Sequence, residues 1–297
     1  MASRSSSSGT RRRAGAIFIA PAAVFFAIFL LLPVASVIAL AFSEWSGFSI
    51  DQIAWRGVDN FRTLGNDSIF DKALVHTVLF VVFSTILLNV VGLGLALLIN
   101  TRVRGHDFLR VAMFLPLGLS PAIAALIWQQ ILGPYGFVNL AVGKTGLGLT
   151  DKPISFLGDP QLAFATVIGI AIWQYSGYNM LLYYAGLQSL PAERLEAAAI
   201  DGAGWFSRLR YVVVPYLRPV IAVVVVLNLI GGWKVFELIY VLTGGGPNRA
   251  TEVLSTYLFQ QAFEFSRVGY ASTFAVVIIA LAMISAVMRS RISGEVA

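Results

Sequence analysis

Aromatic and amide side chains occur inside two long apolar stretches of this sequence, where a polar group is costly and therefore a candidate for binding. Tyr175, Tyr178 and Asn179 stand at i, i+3 and i+4, which places them on one helical face. Such rings can stack on a sugar and the amide can bond its hydroxyl groups. An aromatic belt or a helix-packing contact explains the pattern equally well. The candidates for a substrate path are Trp173, Tyr175, Tyr178, Asn179, Asn228, Trp233, Lys234 and Glu237.

Lys234 and Glu237 are the charged members of this set. Their spacing of three residues would place them on one face of a helix, where pairing lowers the desolvation penalty of either charge. We therefore expect a structural or gating pair, ahead of a contact with a substrate. Hydrogen bonds between helices are the expected role of four further polar residues, His76, Asn89, Gln129 and Gln130.

Several kinds of catalysis are excluded by the residues that the sequence lacks. Without cysteine there is no disulfide or thiolate, and two histidines cannot by themselves form a metal cage. Gly143, Lys144 and Thr145 resemble part of a phosphate-binding loop, but the glycine required five residues earlier is Val138. We expect no cofactor in this chain, and any ATP and Mg²⁺ would be bound by a separate ATPase subunit.

The composition places the chain in a lipid bilayer, since 58% of its residues are hydrophobic and only 12% are charged. Stretches of about 20 apolar residues can cross the bilayer, and none alternates like a barrel strand. The sequence therefore predicts an all-α membrane protein. Its six expected transmembrane helices are Ala14–Phe42, Ala73–Ile99, Val111–Leu132, Leu162–Leu187, Pro219–Leu242 and Val268–Met288.

The basic residues predict how these helices are oriented. If the N-terminus is cytoplasmic, the inner segments hold more Lys and Arg than the outer segments, as the positive-inside rule requires. Both termini are then cytoplasmic. We expect a disordered basic tail at residues 1–13, a six-helix transmembrane domain at 14–290 and a short tail at 291–297. Pro116 and Pro121 predict a kink at the start of the third helix.

The cytoplasmic segment 189–218, between the fourth and fifth expected helices, combines small and charged residues. Ser189 is expected to cap a short helix over Pro191–Ile200, and Gly202 with Gly204 to end it. A second short helix, Trp205–Val214, would carry Arg208 and Arg210 toward the inner lipid surface. We expect Pro215 and Pro219 then to redirect the chain into the fifth transmembrane helix.

The layout of this segment resembles the EAA signature of ABC importer permeases. Glu196, Ala197 and Ala198 are followed at the family's spacing by Gly202, and then by a run that ends at Pro215. Three further stretches, beginning at Phe114, Ile172 and Val241, resemble the carbohydrate-uptake branch, similar to maltose- and glycerol-phosphate-type permeases. Glu237 departs from that pattern, because relatives often have Asp there.

The resemblance implies a type I ABC importer permease in the cell membrane. Its ATPase-coupling residues would be Glu196, Ala197, Ala198, Asp201 and Gly202, seated in a groove of the ATPase subunit. The other implied partners are a second, non-identical permease and an extracytoplasmic solute-binding protein that delivers a sugar or sugar-like solute. Such a permease is a transport subunit and has no enzymatic activity of its own.

Other interpretations remain. Segment 189–218 could be only an interfacial amphipathic helix. A secondary transporter or channel driven by an ion gradient would need carboxylates near the middle of the membrane, and no Asp or Glu lies centrally in the first four expected helices or the sixth. A membrane enzyme would need a catalytic cluster at one membrane face, which the sequence does not contain.

Overall fold

The computed structural model describes residues 18–101, 105–143, 146–148 and 152–293. The expected tail at residues 1–13 and the last residues of the expected C-terminal tail lie outside these ranges. Helices dominate the described residues, as the length of the apolar stretches predicts. The described residues divide into two compact units, one within 18–66 and 258–276 and the other within 67–257 and 277–293.

The first unit begins with helix α1, Phe18–Ala41, which contains a π-helical segment at Ala27–Leu31. Two short antiparallel strands follow, β1 (Ser43–Glu44) and β2 (Ala54–Trp55), and then helix α2 (Asp59–Leu64). The Asn60 amide donates hydrogen bonds to the carbonyls of Ala41 and Ser43 at 3.0 and 2.8 Å. This side chain therefore fixes α2 against the end of α1.

The remaining helices follow in chain order. They are α3 (Ser68–Asn100), α4 (His106–Phe114), α5 (Pro121–Leu132), α6 (Phe137–Val142), α7 (Pro160–Gln188), α8 (Ala192–Ile200), α9 (Trp205–Trp233), α10 (Glu237–Thr243), α11 (Leu254–Phe259) and α12 (Val268–Ser293). Helix α11 continues into a π-helical turn, Gln260–Glu264.

Aspartate side chains start two of the long helices. Asp67 accepts hydrogen bonds from the backbone N–H groups of Ile69 and Phe70, at the start of α3. Asp159 does the same for Gln161 and Leu162 at the start of α7. These carboxylates satisfy N–H groups that a helix leaves unpaired in its first turn.

Small residues allow the long helices of the second unit to pack closely. A Cβ atom at Gly92 of α3 would lie 2.6 Å from the Asn179 Cβ of α7, and one at Gly186 would lie 2.9 Å from Leu217 of α9. Helices in a bilayer associate mainly by such close packing and by hydrogen bonds. Helices α3, α7 and α9 thus form the centre of this unit around buried Met180, Tyr183 and Leu217.

Four helices of the described residues are long and apolar enough to cross a membrane, namely α1, α3, α9 and the 268–287 part of α12. A fifth exists if the bent pair His106–Gly118 and Pro121–Val142 counts as one crossing. Helix α7 has the length but is less apolar, because Trp, Gln, Tyr and Asn side chains interrupt it. The count of six therefore stays a prediction.

Proline residues bend the chain at one of the two places where the sequence predicts it. The two parts of the bent pair meet at 103°, at Pro116 and Pro121, where the kink was predicted. Pro215 and Pro219, in contrast, lie inside the continuous helix α9, so the expected redirection there is wrong. A π-helical segment at Leu209–Val213 precedes Pro215, and such a segment changes the hydrogen-bond pattern of the helix just before the proline ring.

Candidate functional site

Helix α8 has nearly the bounds that the sequence predicts, but a different cap. Its N-cap position is Pro191, and no side chain caps it. Ser189 ends the preceding helix α7 instead, where its hydroxyl donates to the Gly186 carbonyl at 2.7 Å. The Tyr216 hydroxyl of α9 donates to the Ser189 carbonyl at 2.5 Å. The expected capping role of Ser189 is therefore wrong, because its hydroxyl is used at the other helix.

Helix α8 presents one side to the bundle and the other outward. Leu195 is half-buried and packs against the cluster that contains Tyr183 and Leu217, and Ala198, one turn later, is also half-buried. Glu196 and Ala197 are exposed. Of the five expected coupling residues, four are therefore open to solvent and Ala198 faces the bundle.

The turn after α8 is a Schellman motif. The N–H of Ala203 donates to the Ala198 carbonyl at 2.9 Å, and that of Gly202 donates to the Ala199 carbonyl at 3.1 Å. Gly202 has φ +77°, a left-handed conformation that glycine adopts without strain. A Cβ atom there would meet nothing within 4 Å. The glycine is thus required by the backbone turn and leaves open space beside it.

Three large apolar residues on this elbow were not identified from the sequence as site residues. Ile200, at the end of α8, is 87% exposed, and Trp205 and Phe206 are 64% and 66% exposed. Apolar side chains grouped on a protruding element are typical of an interaction surface. The signal in the sequence was their position on both sides of the Asp-Gly-Ala-Gly turn, in a segment otherwise rich in small and charged residues.

A cavity of about 620 Å³ lies among α3, α7, α9 and α10. Five of the eight residues expected on a substrate path line it, and they are Tyr175, Tyr178, Asn228, Lys234 and Glu237. Apolar walls are provided by Phe80, Leu88 and Leu227, among others, and Ser84 adds a hydroxyl. A mostly apolar cavity with a few polar and aromatic groups is typical of a binding site for a small molecule.

The other three expected residues do not line this cavity. Asn179 is fully buried, and its amide donates to the Tyr175 carbonyl at 3.1 Å and accepts from Asn228 at 2.9 Å. Trp233 donates to Ser285 at 2.9 Å. Trp173 packs edge-to-face on Trp128, with ring centroids 5.3 Å apart. The structure therefore gives these three side chains packing contacts between helices.

Lys234 and Glu237 both line the cavity, but they do not share a helix. Helix α9 ends at Trp233 with Lys234 as its C-cap, and Glu237 is the first residue of α10. No ion pair joins the two among the residues that the structure describes. The pair expected from their spacing is therefore not formed, because the chain leaves the helical conformation between them.

Two of the four residues expected to form hydrogen bonds between helices do so, and a third, His76, bonds to a loop carbonyl instead. The Asn89 side-chain oxygen accepts a short hydrogen bond from the Tyr183 hydroxyl. Gln129 donates to the carbonyls of Val241 and Leu242 at 2.6 and 3.0 Å. A ring nitrogen of His76 lies 3.1 Å from the Glu252 carbonyl. These polar side chains are used inside the fold.

Comparison with known proteins agrees with this arrangement. Residues 104–293 match the family described as binding-protein-dependent transport system inner membrane component. The probable ABC transporter permease protein YurN of Bacillus subtilis is 34% identical, over 93% of this chain and 94% of that protein. The multiple sugar-binding transport system permease protein MsmF of Streptococcus mutans is 32% identical, over 90% of this chain and 91% of its own.

The fold has a close counterpart among solved structures. One chain in the crystal structure of a bacterial alginate ABC transporter, in complex with a periplasmic protein that carries an alginate pentasaccharide, has a TM-score of 0.83. It is 25% identical, and the alignment covers 99% of this chain and 98% of that one. With its long apolar helices and its exposed elbow, this chain belongs to the family of binding-protein-dependent transport system inner membrane components and is a multi-pass ABC transporter permease.

Proposed function

We propose that this chain is the membrane-spanning subunit of an ATP-binding-cassette importer that takes up a sugar or a sugar-like solute. The observation that carries the proposal is the elbow formed by α8 and the Gly202 turn, which is packed on the bundle at Leu195 and open on its other side. An element with one anchored and one free face can receive force from a partner and pass it to the bundle.

The coupling residues of this proposal are Glu196, Ala197, Ala198, Asp201 and Gly202. The free side of α8 would sit in a groove of an ATPase subunit, which binds ATP and Mg²⁺. Small alanine side chains allow close approach of that groove to the helix. The rest of the assembly would be a second, non-identical permease and an extracytoplasmic binding protein. The periplasmic protein in the alginate transporter complex supports the last of these.

The proposed topology has six transmembrane helices and both termini in the cytoplasm. Helix α7 is the additional crossing, and its lower apolarity is consistent with a helix surrounded by others, since many of its residues are buried. The bent pair around Pro116 and Pro121 is the third crossing. With this orientation, α8 and its turn lie on the cytoplasmic side, where an ATPase can reach them.

The proposed substrate path passes through the cavity of about 620 Å³. Tyr175 and Tyr178 offer ring faces to a sugar, while Asn228, Lys234 and Glu237 offer groups for its hydroxyls. The similarity to a multiple sugar-binding transport system permease protein supports a carbohydrate. A hydroxyl group can donate a hydrogen bond to the Glu237 carboxylate and accept one from the Lys234 ammonium group. This lining therefore suits a solute rich in hydroxyl groups.

Reconstitution of the importer in liposomes tests this function. With the partner permease, ATPase and binding protein present, uptake of the cognate sugar should require ATP inside the vesicle. A protonophore should leave that uptake unchanged. Uptake without ATP that collapses with the proton gradient would instead indicate a secondary transporter.

The tyrosine at position 178 should affect transport through its ring. Tyr178→Ala removes a cavity-lining aromatic group and should lower sugar uptake about tenfold, because stacking contacts of this kind contribute on the order of 1 kcal/mol or more. Tyr178→Phe keeps the ring and should retain most of the uptake. Equal loss in the two variants would show that the hydroxyl, and not stacking, carries the interaction.

Ile200 should anchor the elbow on the ATPase. Ile200→Ser removes an apolar side chain that is 87% exposed, so the fold of the permease should not change. Burial of such a side chain in a partner contributes about 1.5–3 kcal/mol, and we expect roughly tenfold weaker capture of the ATPase subunit in a pull-down. Leu140→Ser, at a residue 52% exposed on α6, is the matched control and should leave capture unchanged.

A further inference from the structure

A second pocket, of about 440 Å³, lies behind the elbow and apart from the proposed substrate path. Its walls come from the C-terminal ends of α3 and α7, from α8 and from the first turns of α9. Most of the lining is apolar, and Leu97, Leu195 and Leu209 are typical members. The polar lining residues are Asn100, Thr101, Gln188 and Arg208.

Arg208 is the charged group of this pocket. Its Nε atom is buried and has no hydrogen-bond partner. The ion pairs found among the described residues do not include Arg208, and no acidic residue is among those that line the pocket. Arg208 as a whole is half-buried, but its buried Nε donor costs free energy as long as it has no acceptor. An anion that accepts this hydrogen bond would remove that cost.

The surroundings of Arg208 indicate what kind of anion fits. Three aromatic side chains on the same turns of α9 are strongly exposed, Trp205, Phe206 and Tyr211. Arg210 lies over the Tyr211 ring, 5.8 Å from its centroid. Exposed aromatic and basic residues at the end of a transmembrane helix are typical of the boundary between lipid and water. In the topology proposed above, on which this inference rests, the pocket therefore lies at the level of the cytoplasmic lipid headgroups.

We infer that this pocket binds the headgroup phosphate of an anionic phospholipid. Arg208 donates to the phosphate oxygens, and the leucine-rich walls contact the glycerol and the first acyl carbons. Basic pockets between helices near the cytoplasmic surface are known to hold anionic headgroups. A free phosphate ion would satisfy the guanidinium equally well but would leave the apolar walls in contact with water. The bound lipid supports α8 from the bundle side.

Native mass spectrometry of the full-length chain in detergent tests the inference. With phosphatidylglycerol or phosphatidylcholine added, the wild type should retain one phosphatidylglycerol with about tenfold preference. Both lipids offer a phosphate, but the choline cation of phosphatidylcholine offsets the negative charge that attracts Arg208. Arg208→Gln should abolish the preference, and Arg208→Lys should retain part of it. Arg210→Gln is the matched control, because Arg210 does not line the pocket, and it should behave as wild type.

A second variant keeps the test decisive if Arg208→Gln does not fold. Leu195→Trp fills the pocket and leaves Arg208 in place, so it should also abolish the preference. Equal losses for the Arg208→Gln and Arg210→Gln variants would overturn the site. Displacement of the lipid by millimolar inorganic phosphate would overturn the choice of a lipid. An unchanged lipid preference in Arg208→Gln, together with weaker capture of the ATPase, would assign this arginine to a protein carboxylate.

Discussion

A permease with aspartate in place of Gly202 is expected to fold and insert normally but to transport no solute. A side chain at this position meets no atom of the chain within 4 Å, so the isolated permease has room for it. Aspartate also tolerates the left-handed conformation at φ +77° better than most residues. The proposed ATPase groove would have no such room, and the added carboxylate would be buried against it at a cost of several kcal/mol.

The measurement is sugar uptake and sugar-stimulated ATPase activity of the reconstituted importer, with the amount of membrane-inserted permease determined in parallel. Gly204→Asp is the matched control. Gly204 is two residues away, also has open space around it, and occupies the N-cap position of the following helix, where aspartate is favourable. Its uptake should stay near the wild-type rate. Normal uptake by Gly202→Asp would contradict the coupling role of the elbow.

Glu196→Lys changes a residue on the exposed side of α8. This variant should also fold and insert normally but transport no solute.

An alanine at position 177 is expected to destabilise the folded permease strongly. The new Cβ atom would lie 2.0 Å from the Met113 carbonyl oxygen and 2.9 Å from the Phe114 Cα. These are backbone atoms, so they cannot move aside as a flexible side chain would. Overpacking of this kind costs about 1–3 kcal/mol, and contact with backbone places this site at the upper end. We expect a loss of thermal stability in detergent of roughly 5–10 °C.

Gly169→Ala is the control in the same helix. Gly169 also lies in α7, but a Cβ atom there meets nothing within 4 Å. Alanine favours a helix over glycine by about 1 kcal/mol, so this variant should be as stable as the wild type or slightly more stable. If both variants melted at the wild-type temperature, α7 would not lie against the Met113 and Phe114 backbone as it does in the structure.

The length and composition of the apolar stretches were enough to predict a helical membrane protein, because a bilayer leaves few ways to satisfy backbone hydrogen bonds. The residue types next to one another in the chain were also enough to predict the elbow. The spacing from Pro191 to Gly202 predicted α8 to within one residue at its start, since helix ends depend on neighbouring residues in the chain. The bend at Pro116 and Pro121 follows from the same kind of local rule.

The lining of the cavity could be predicted only in part. Helical spacing placed Tyr175, Tyr178 and Asn179 on one face, yet the two tyrosines line the cavity while Asn179 is buried against α9. Spacing describes one helix, whereas exposure to a cavity depends on which neighbouring helices cover it. Lys234 and Glu237 show the same limit, because the break between α9 and α10 separates residues that a continuous helix would have paired.

What the sequence alone determined is therefore the environment, the helices and the elbow, all of which depend on composition and on residues near one another in the chain. What only the tertiary structure decided is which side chains remain free. Ile200 is open at the elbow, and the Nε atom of half-buried Arg208 is enclosed without an acceptor. Both facts depend on contacts between segments distant in the chain, which residue types and spacing do not fix by themselves.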